Sequence, residues 1–90
     1  MRIEVMQHHI DEARRLRKRK DYWANNHCPV ALAVRDQRGG QWVSVRGLCI
    51  HFPNGENYWF DVETGKKILR WDQLGEMEPF SFETEKRGMW

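Results

Sequence analysis

Cysteine is scarce in this sequence. Cys28 and Cys49 are the only two among 90 residues, whereas small secreted domains build disulfide frameworks from four, six or eight. Long apolar runs are missing as well. The longest is residues 30–34, far short of the roughly 18 residues that a membrane-spanning helix needs. Residues 1–6 alternate charged with apolar side chains rather than building the apolar core of a signal peptide. These absences predict a cytoplasmic chain with reduced thiols and no membrane association. There is also no Gly-rich phosphate loop, no serine elbow and no helical His-Glu-x-x-His. Internal repeats, linkers and low-complexity stretches are absent too.

What is present fits one small folded unit, a single domain over residues 1–90. The chain is 40% hydrophobic with five tryptophans and 31% charged, above the disorder regime but strongly solvated. A chain of this length buries roughly 65% of its unfolded surface, enough for one modest core. The net charge of +2 hides an asymmetry. Residues 1–46 carry ten Lys/Arg against five Asp/Glu, and residues 47–90 carry five against eight. Six of the basic residues, Arg14, Arg15, Arg17, Lys18, Arg19 and Lys20, lie within seven positions.

Periodicity divides the chain. Met1, Ile3 and Val5 alternate as a half-buried strand does. From about residue 7 the spacing of Ile10, Ala13 and Leu16 or Arg17 predicts a helix to about 19, with Asp11 and Glu12 in its first turn. Residues 20–27 read as a loop with Tyr22 and Trp23 packed back. Pro29 opens a second helix, buried along 30–34 and closed by Gly39-Gly40. Residues 42–46 and 48–52 alternate as strands, with Gly47 as a bulge or a turn. Asn54-Gly55 then predicts a hairpin into 57–60, both residues accepting positive φ.

A helix capped by Asp61 or Thr64 runs through about Leu74, with Ile68, Leu69, Trp71 and Leu74 around its inner face. Residues 77–84 form a strand that Pro79 places at an edge or at its start. The charged tail 85–90 is expected to fray. The predicted fold class is α+β, with an antiparallel or mixed sheet of four to five short strands packed with two to three helices.

One set of motifs resembles a known group. His27-Cys28-Pro29-Val30-Ala31-Leu32-Ala33-Val34, with residues 1–5 and Ile10-Asp11 before it and Trp71-Asp72…Gly75-Glu76-Met77-Glu78-Pro79-Phe80-Ser81-Phe82 after it, is similar to small uncharacterised proteins of bacteriophages, prophages and plasmids. Their pattern joins an opening strand and helix to a Cys-Pro-[Val/Ile]-Ala-Leu-Ala helix and a closing Pro-Phe-x-Phe segment. The resemblance touches about a third of the chain and implies a mobile-element origin rather than a chemistry. The basic run and the Trp-rich hairpin depart from that pattern. Phage proteins of this size are often inhibitors of host factors or defence systems, a class-level inference.

His27, Cys28, Cys49 and His51 are the residue types that zinc takes, but their spacing is poor. Structural sites pair ligands two to four residues apart, whereas Cys49-x-His51 has one residue between and His27-Cys28 has none. Both cysteines read better as small buried hydrophobes, so neither a metal nor a cofactor is expected. The catalytic version would put Cys28 at a helix N-terminus with a lowered thiol pKa and His27, His51 or His8 as base. It also needs a third orienting group and a pocket of roughly 300 Å3 or more, for which a core of this size leaves little room. No enzyme and no small-molecule substrate are therefore expected.

The basic run is the strongest functional signal, because six like charges over two helical turns repel one another and favour an anionic partner. Nucleic acid is the obvious one, with Tyr22, Trp23, Trp42, Tyr58 and Trp59 as stacking platforms. The +2 overall charge and the acidic second half weaken that footprint. The same stripe can dock on an acidic protein surface, or the carboxylates of the second half can imitate a phosphate backbone.

Trp71 is assigned to the core, and Trp42 and Trp59 lie opposite faces expected to be buried. The expected function is that of a mobile-element modulator or inhibitor of a host protein or nucleoprotein machine, of an anti-defence, anti-CRISPR-like type. Its contact residues are Arg14, Arg15, Arg17, Lys18, Arg19, Lys20, Trp42, Tyr58 and Trp59. The alternative is direct DNA or RNA binding through residues 14–20.

Overall fold

A computed structural model describes residues 1–19 and 24–87. Lys20, Tyr22, Trp23 and residues 88–90 lie outside them, and with them the expectations that fell there. The described chain runs β1 (Arg2–Val5), α1 (Gln7–Arg17), α2 (Ala24–His27, a single turn), α3 (Pro29–Gln37), β2 (Ser44–Arg46), β3 (Cys49–His51), β4 (Asn57–Trp59), α4 (Val62–Leu74), β5 (Phe80–Glu83) and β6 (Glu85–Arg87). Its radius of gyration is 12.1 Å, close to the roughly 12 Å of a compact chain of this length. The class is α+β, as expected.

The six strands form two antiparallel sheets, β1-β5 and β2-β3-β4-β6. β5 and β6 are one run broken at Thr84. Ile3 faces Phe82 and Val5 faces Phe80 in the first sheet, while Tyr58 faces Lys86 in the second. Thr84 forms the corner: its N–H and its hydroxyl both donate to the Met1 carbonyl, at 2.9 and 2.8 Å. The tail therefore does not fray at residues 85–87, because β6 completes a ladder against β4. The remaining edge of β1 is covered by Gln37 of α3, which accepts from Glu4 N at 3.0 Å and donates to Arg2 O at 2.8 Å. A side-chain amide thus stands in for a neighbouring strand and satisfies the edge.

Each element follows from local chemistry. Met6 is extended and leads into α1, and His9 at the third helical position accepts the Met6 N–H on Nδ1 at 2.9 Å. This is the reciprocal half of a capping box, with imidazole in place of the usual Glu or Gln. Because the helix starts at Gln7, Asp11 and Glu12 fall in its second turn and not its first. There they pair with Arg14 and Arg15 instead of with the helix dipole.

Cys28 caps α3, its Sγ accepting from Ala31 N, and Pro29 follows. Gly47 makes a turn, leaving Arg46 opposite Cys49. The Asn54-Gly55 hairpin forms, but only Gly55 has positive φ, at 90°. Pro53 holds the first turn position near −65°, so Phe52 accepts from Gly55 N in a tight turn and glycine takes the left-handed residue after it. In α4 Asp61 is the cap, accepting from Thr64 N at 3.2 Å, and Gly75 at φ 70° ends the helix.

The core joins β1, α1, α3, the inner row Val45, Ile50 and Tyr58 of the four-stranded sheet, and Ile68 and Trp71 of α4. Trp71 is fully buried. Leu69 and Leu74, expected on the inner face, are instead 55% and 61% exposed. With Thr64, Ile68 and Trp71 inward, helical spacing turns Leu69 about 100° past Ile68 and Leu74 to the far flank.

Candidate functional site

The basic run divides by role. Arg17 is half-buried and turns inward from the last turn of α1, where both ends of its guanidinium donate to α4, Nη1 to Trp71 O and Nη2 to Asp72 O at 3.1 Å. The same group sits 5.4 Å from the Trp71 ring centroid. Trp71 O already accepts the Gly75 N–H at 2.8 Å, so Arg17 adds a second donor there and another at Asp72 O, and its positive charge suits the negative end of the α4 dipole. Arg17 therefore holds the fold together and is not an outward contact.

Arg15 pairs with Glu12 at 2.5 Å, which holds the Glu12 carboxyl below its ordinary value, and Arg14 lies 3.8 Å from Asp11. Lys18 and Arg19 are exposed. Exposed i,i+3 pairs of this kind are weak and screened by salt, so they leave Arg14 and Arg15 available to a stronger anion.

The Arg17 brace brings a second helix to this face. Arg14 of α1 lines one cleft of about 520 Å3 with Lys67 and Arg70 of α4 and with Glu76, Glu78 and Phe80 beyond it. Arg70 reaches Glu76 at 3.5 Å, and the Lys67 ammonium lies 4.2 Å from the Phe80 ring centroid. The positive surface thus extends past the run visible in the sequence. Lys67 and Arg70, 47 or more positions from the run, had no signal of their own except that Arg17 shares their face once both helices form.

The aromatic residues do not assemble into a platform. Tyr58 is buried at 8% exposure and packs edge-on against Phe52. Its inward row leaves Trp59 on the opposite face, where it is half-buried. Trp42 is 48% exposed but engaged: the Arg35 guanidinium lies 4.8 Å over its ring and the His27 ring meets it edge-on at 5.6 Å.

The carboxylates of the second half are also dispersed into local roles. Glu56 accepts from Lys86 at 2.7 Å, from Asn54 at 2.6 Å and from Tyr58 at 3.3 Å, with Arg38 at 3.7 Å. Lys86 and Asn54 hold its carboxyl down to about 2. Asp61 caps α4, Glu63 pairs with Lys66, and Glu83 pairs with Arg2.

Cys49 Sγ comes within 4.0 Å of His51 Nδ1, but the four Cys/His candidates do not gather into one group. Among the described residues, the group of three or more potential ligands is His8, His9 and Asp36. Cys28 is 1% exposed and does cap a helix, but burial outweighs the backbone N–H donors and pushes its thiol up to about 11. That is opposite to the shift a thiolate nucleophile needs. Burial likewise raises Cys49. In the sequence His8 stands only as a base for Cys28; the signal there is two adjacent histidines at a helix start, whose partner Asp36 becomes visible only once α1 packs on α3.

No helix among the described residues is long and apolar enough to cross a membrane. Set against protein-family models, curated proteins and solved structures, the chain matches none.

Proposed function

We propose that this protein acts by binding, through the cationic face that Arg14, Arg15 and Lys18 of α1 share with Lys67 and Arg70 of α4, and that its partner presents an acidic surface on a host protein or nucleoprotein machine. The observation that carries this reading is the cleft that Arg14 of α1 lines with Lys67 and Arg70 of α4, beside the Arg17 bonds that tie the ends of the two helices together. Charges fixed in place lose less entropy on docking than charges on independent helices. The setting fits a modulator of mobile-element origin, anti-defence in type, working in the bacterial cytoplasm without a reaction of its own.

Direct nucleic-acid binding is the second reading, favoured by the cations converging around one cleft. Against it stands the scatter of the aromatic side chains, which leaves Trp42 as the one largely exposed ring among the described residues.

Co-purification from the bacterial host tests the proposal. Wild type should retain a discrete protein partner at 50 mM salt, and the triple variant Arg14→Glu, Arg15→Glu, Lys18→Glu should lose it. Retention by the triple variant would reduce the stripe to a solubility feature. Fluorescence anisotropy with single- and double-stranded oligonucleotides at two salt concentrations separates the readings. Micromolar binding that weakens steeply with salt selects the second.

A further inference from the structure

At the opposite flank of α1, three side chains converge without any role in the cationic face. His8 and His9 lie at the second and third positions of α1, their ring centroids 4.0 Å apart, and both direct Nε2 at the same oxygen of Asp36 on α3. The distances to Asp36 Oδ2 are 3.6 Å from His8 and 3.1 Å from His9. All three donor atoms lie within 4.8 Å of one another. The two imidazoles hold the Asp36 carboxyl below its ordinary value, so a full negative charge is kept there.

We propose that His8, His9 and Asp36 form a binding site for a divalent transition metal, zinc in the first instance. Zinc holds imidazole nitrogen and carboxylate oxygen at about 2.0–2.2 Å in a tetrahedron, whose donor-to-donor edge is then about 3.3–3.5 Å. The two edges to Asp36 bracket that value, while the histidine-to-histidine edge, bounded only at 4.8 Å, closes by a turn of the exposed His8 ring toward the buried His9. Two nitrogens and one carboxylate are a donor set that zinc accepts with a fourth position left open. That position faces a broad groove of about 790 Å3 between α1 and α3, lined also by Glu12, His27, Arg35 and Trp42. His9 is buried and braced from both sides, whereas His8 and Asp36 reach solvent, which gives the ion a path of entry.

One bond must change when the ion binds. His9 Nδ1 accepts the Met6 N–H, so the neutral ring carries its proton on Nε2, toward Asp36. Metal at Nε2 displaces that proton to Nδ1, where it meets a donor instead of the acceptor that a zinc-bound histidine normally has. Binding therefore releases the Met6 N–H from the ring and loosens the α1 cap. The loss of about one hydrogen bond weakens the site about tenfold, and sets zinc and the cap in competition.

Isothermal titration of untagged protein with zinc chloride at pH 7 tests this. The expected result is one equivalent bound at micromolar affinity, weakened at least tenfold by either Asp36→Asn or His8→Gln and unchanged by His51→Gln. Thermal melts of each variant check the fold, since both substitutions are on exposed side chains. In 15N spectra the His9 proton should move from Nε2 to Nδ1 on zinc addition, and the Met6 amide should shift with it. No stoichiometric uptake at 100 µM zinc, or equal uptake by wild type and both variants, would overturn the proposal.

Discussion

Arg17 and Lys18 are neighbours of like charge and unlike consequence. Arg17 donates to two carbonyls at the end of α4 and stacks on Trp71, while Lys18 stands in solvent. Arg17→Gln should lower stability by about 1–2 kcal/mol in urea unfolding, from a charge-assisted bond and a cation–π contact, and Lys18→Gln should change it by less than about 0.5 kcal/mol. Equal effects would mean that the brace does not form in solution.

Glu56 is the corresponding residue among the acids. Its folded carboxyl, held at about 2 by Lys86 and then Asn54, lies below the unfolded value of 4.5. Its stabilising contribution is thus complete above pH 4.5 and is lost as the pH falls toward 2. The gap in urea midpoint between wild type and Glu56→Gln should be widest near neutrality and should close by pH 2. A gap independent of pH would assign Glu56 to packing alone.

At the scale of elements, α4 shows both how far the sequence could be read and where it could not. Its start was legible to within Asp61 or Thr64 and its end to about Leu74, and the structure selects Asp61 as the cap and Gly75 as the left-handed residue that ends it. Gly65 is a poor helix former inside α4, and the reason for it is tertiary. A Cβ there would stand 2.5 Å from Leu48 Cδ2 of the β2–β3 turn. Replacing helical glycine with alanine is worth about 1 kcal/mol where space allows. Gly65→Ala should therefore stabilise by about that amount in a Leu48→Ala background and lose most of the gain in wild type, as a double-mutant cycle in chemical unfolding would measure. Additivity would show that Leu48 rotates away freely.

The same limit explains Leu69 and Leu74. A hydrophobic count names a helix, but which of two apolar flanks turns inward depends on the neighbours. β6 was missed for the opposite reason: Glu85-Lys86-Arg87 carries no strand signal, and its pairing with β4 comes from the continuation of β5 past the Thr84 corner.

For the whole molecule, one core joins both sheets to three helices, and Trp71 fills its centre where Arg17 also docks. Trp71→Ala should cost about 3–5 kcal/mol, a large share of the 5–15 kcal/mol typical of folded domains. It should broaden or abolish the thermal transition, whereas a clean transition shifted by only a few degrees would place the ring outside the core. The α+β class and most of the elements were visible in residue order, since period and turn chemistry are local.

The arrangement of charge was not legible in the same way. The run from Arg14 onward identified one helix, while Lys67 and Arg70 joined it through packing, and Tyr58 left the candidate surface because its row faces inward. The most direct test of the cationic face is a 15N–1H titration of the labelled protein with a heparin-derived oligosaccharide as polyanion at low salt. Shifts should map together onto Arg14, Lys18, Lys67 and Arg70 and fade as salt rises. Shifts centred on Trp42 and Arg35, or none at millimolar oligosaccharide, would contradict it.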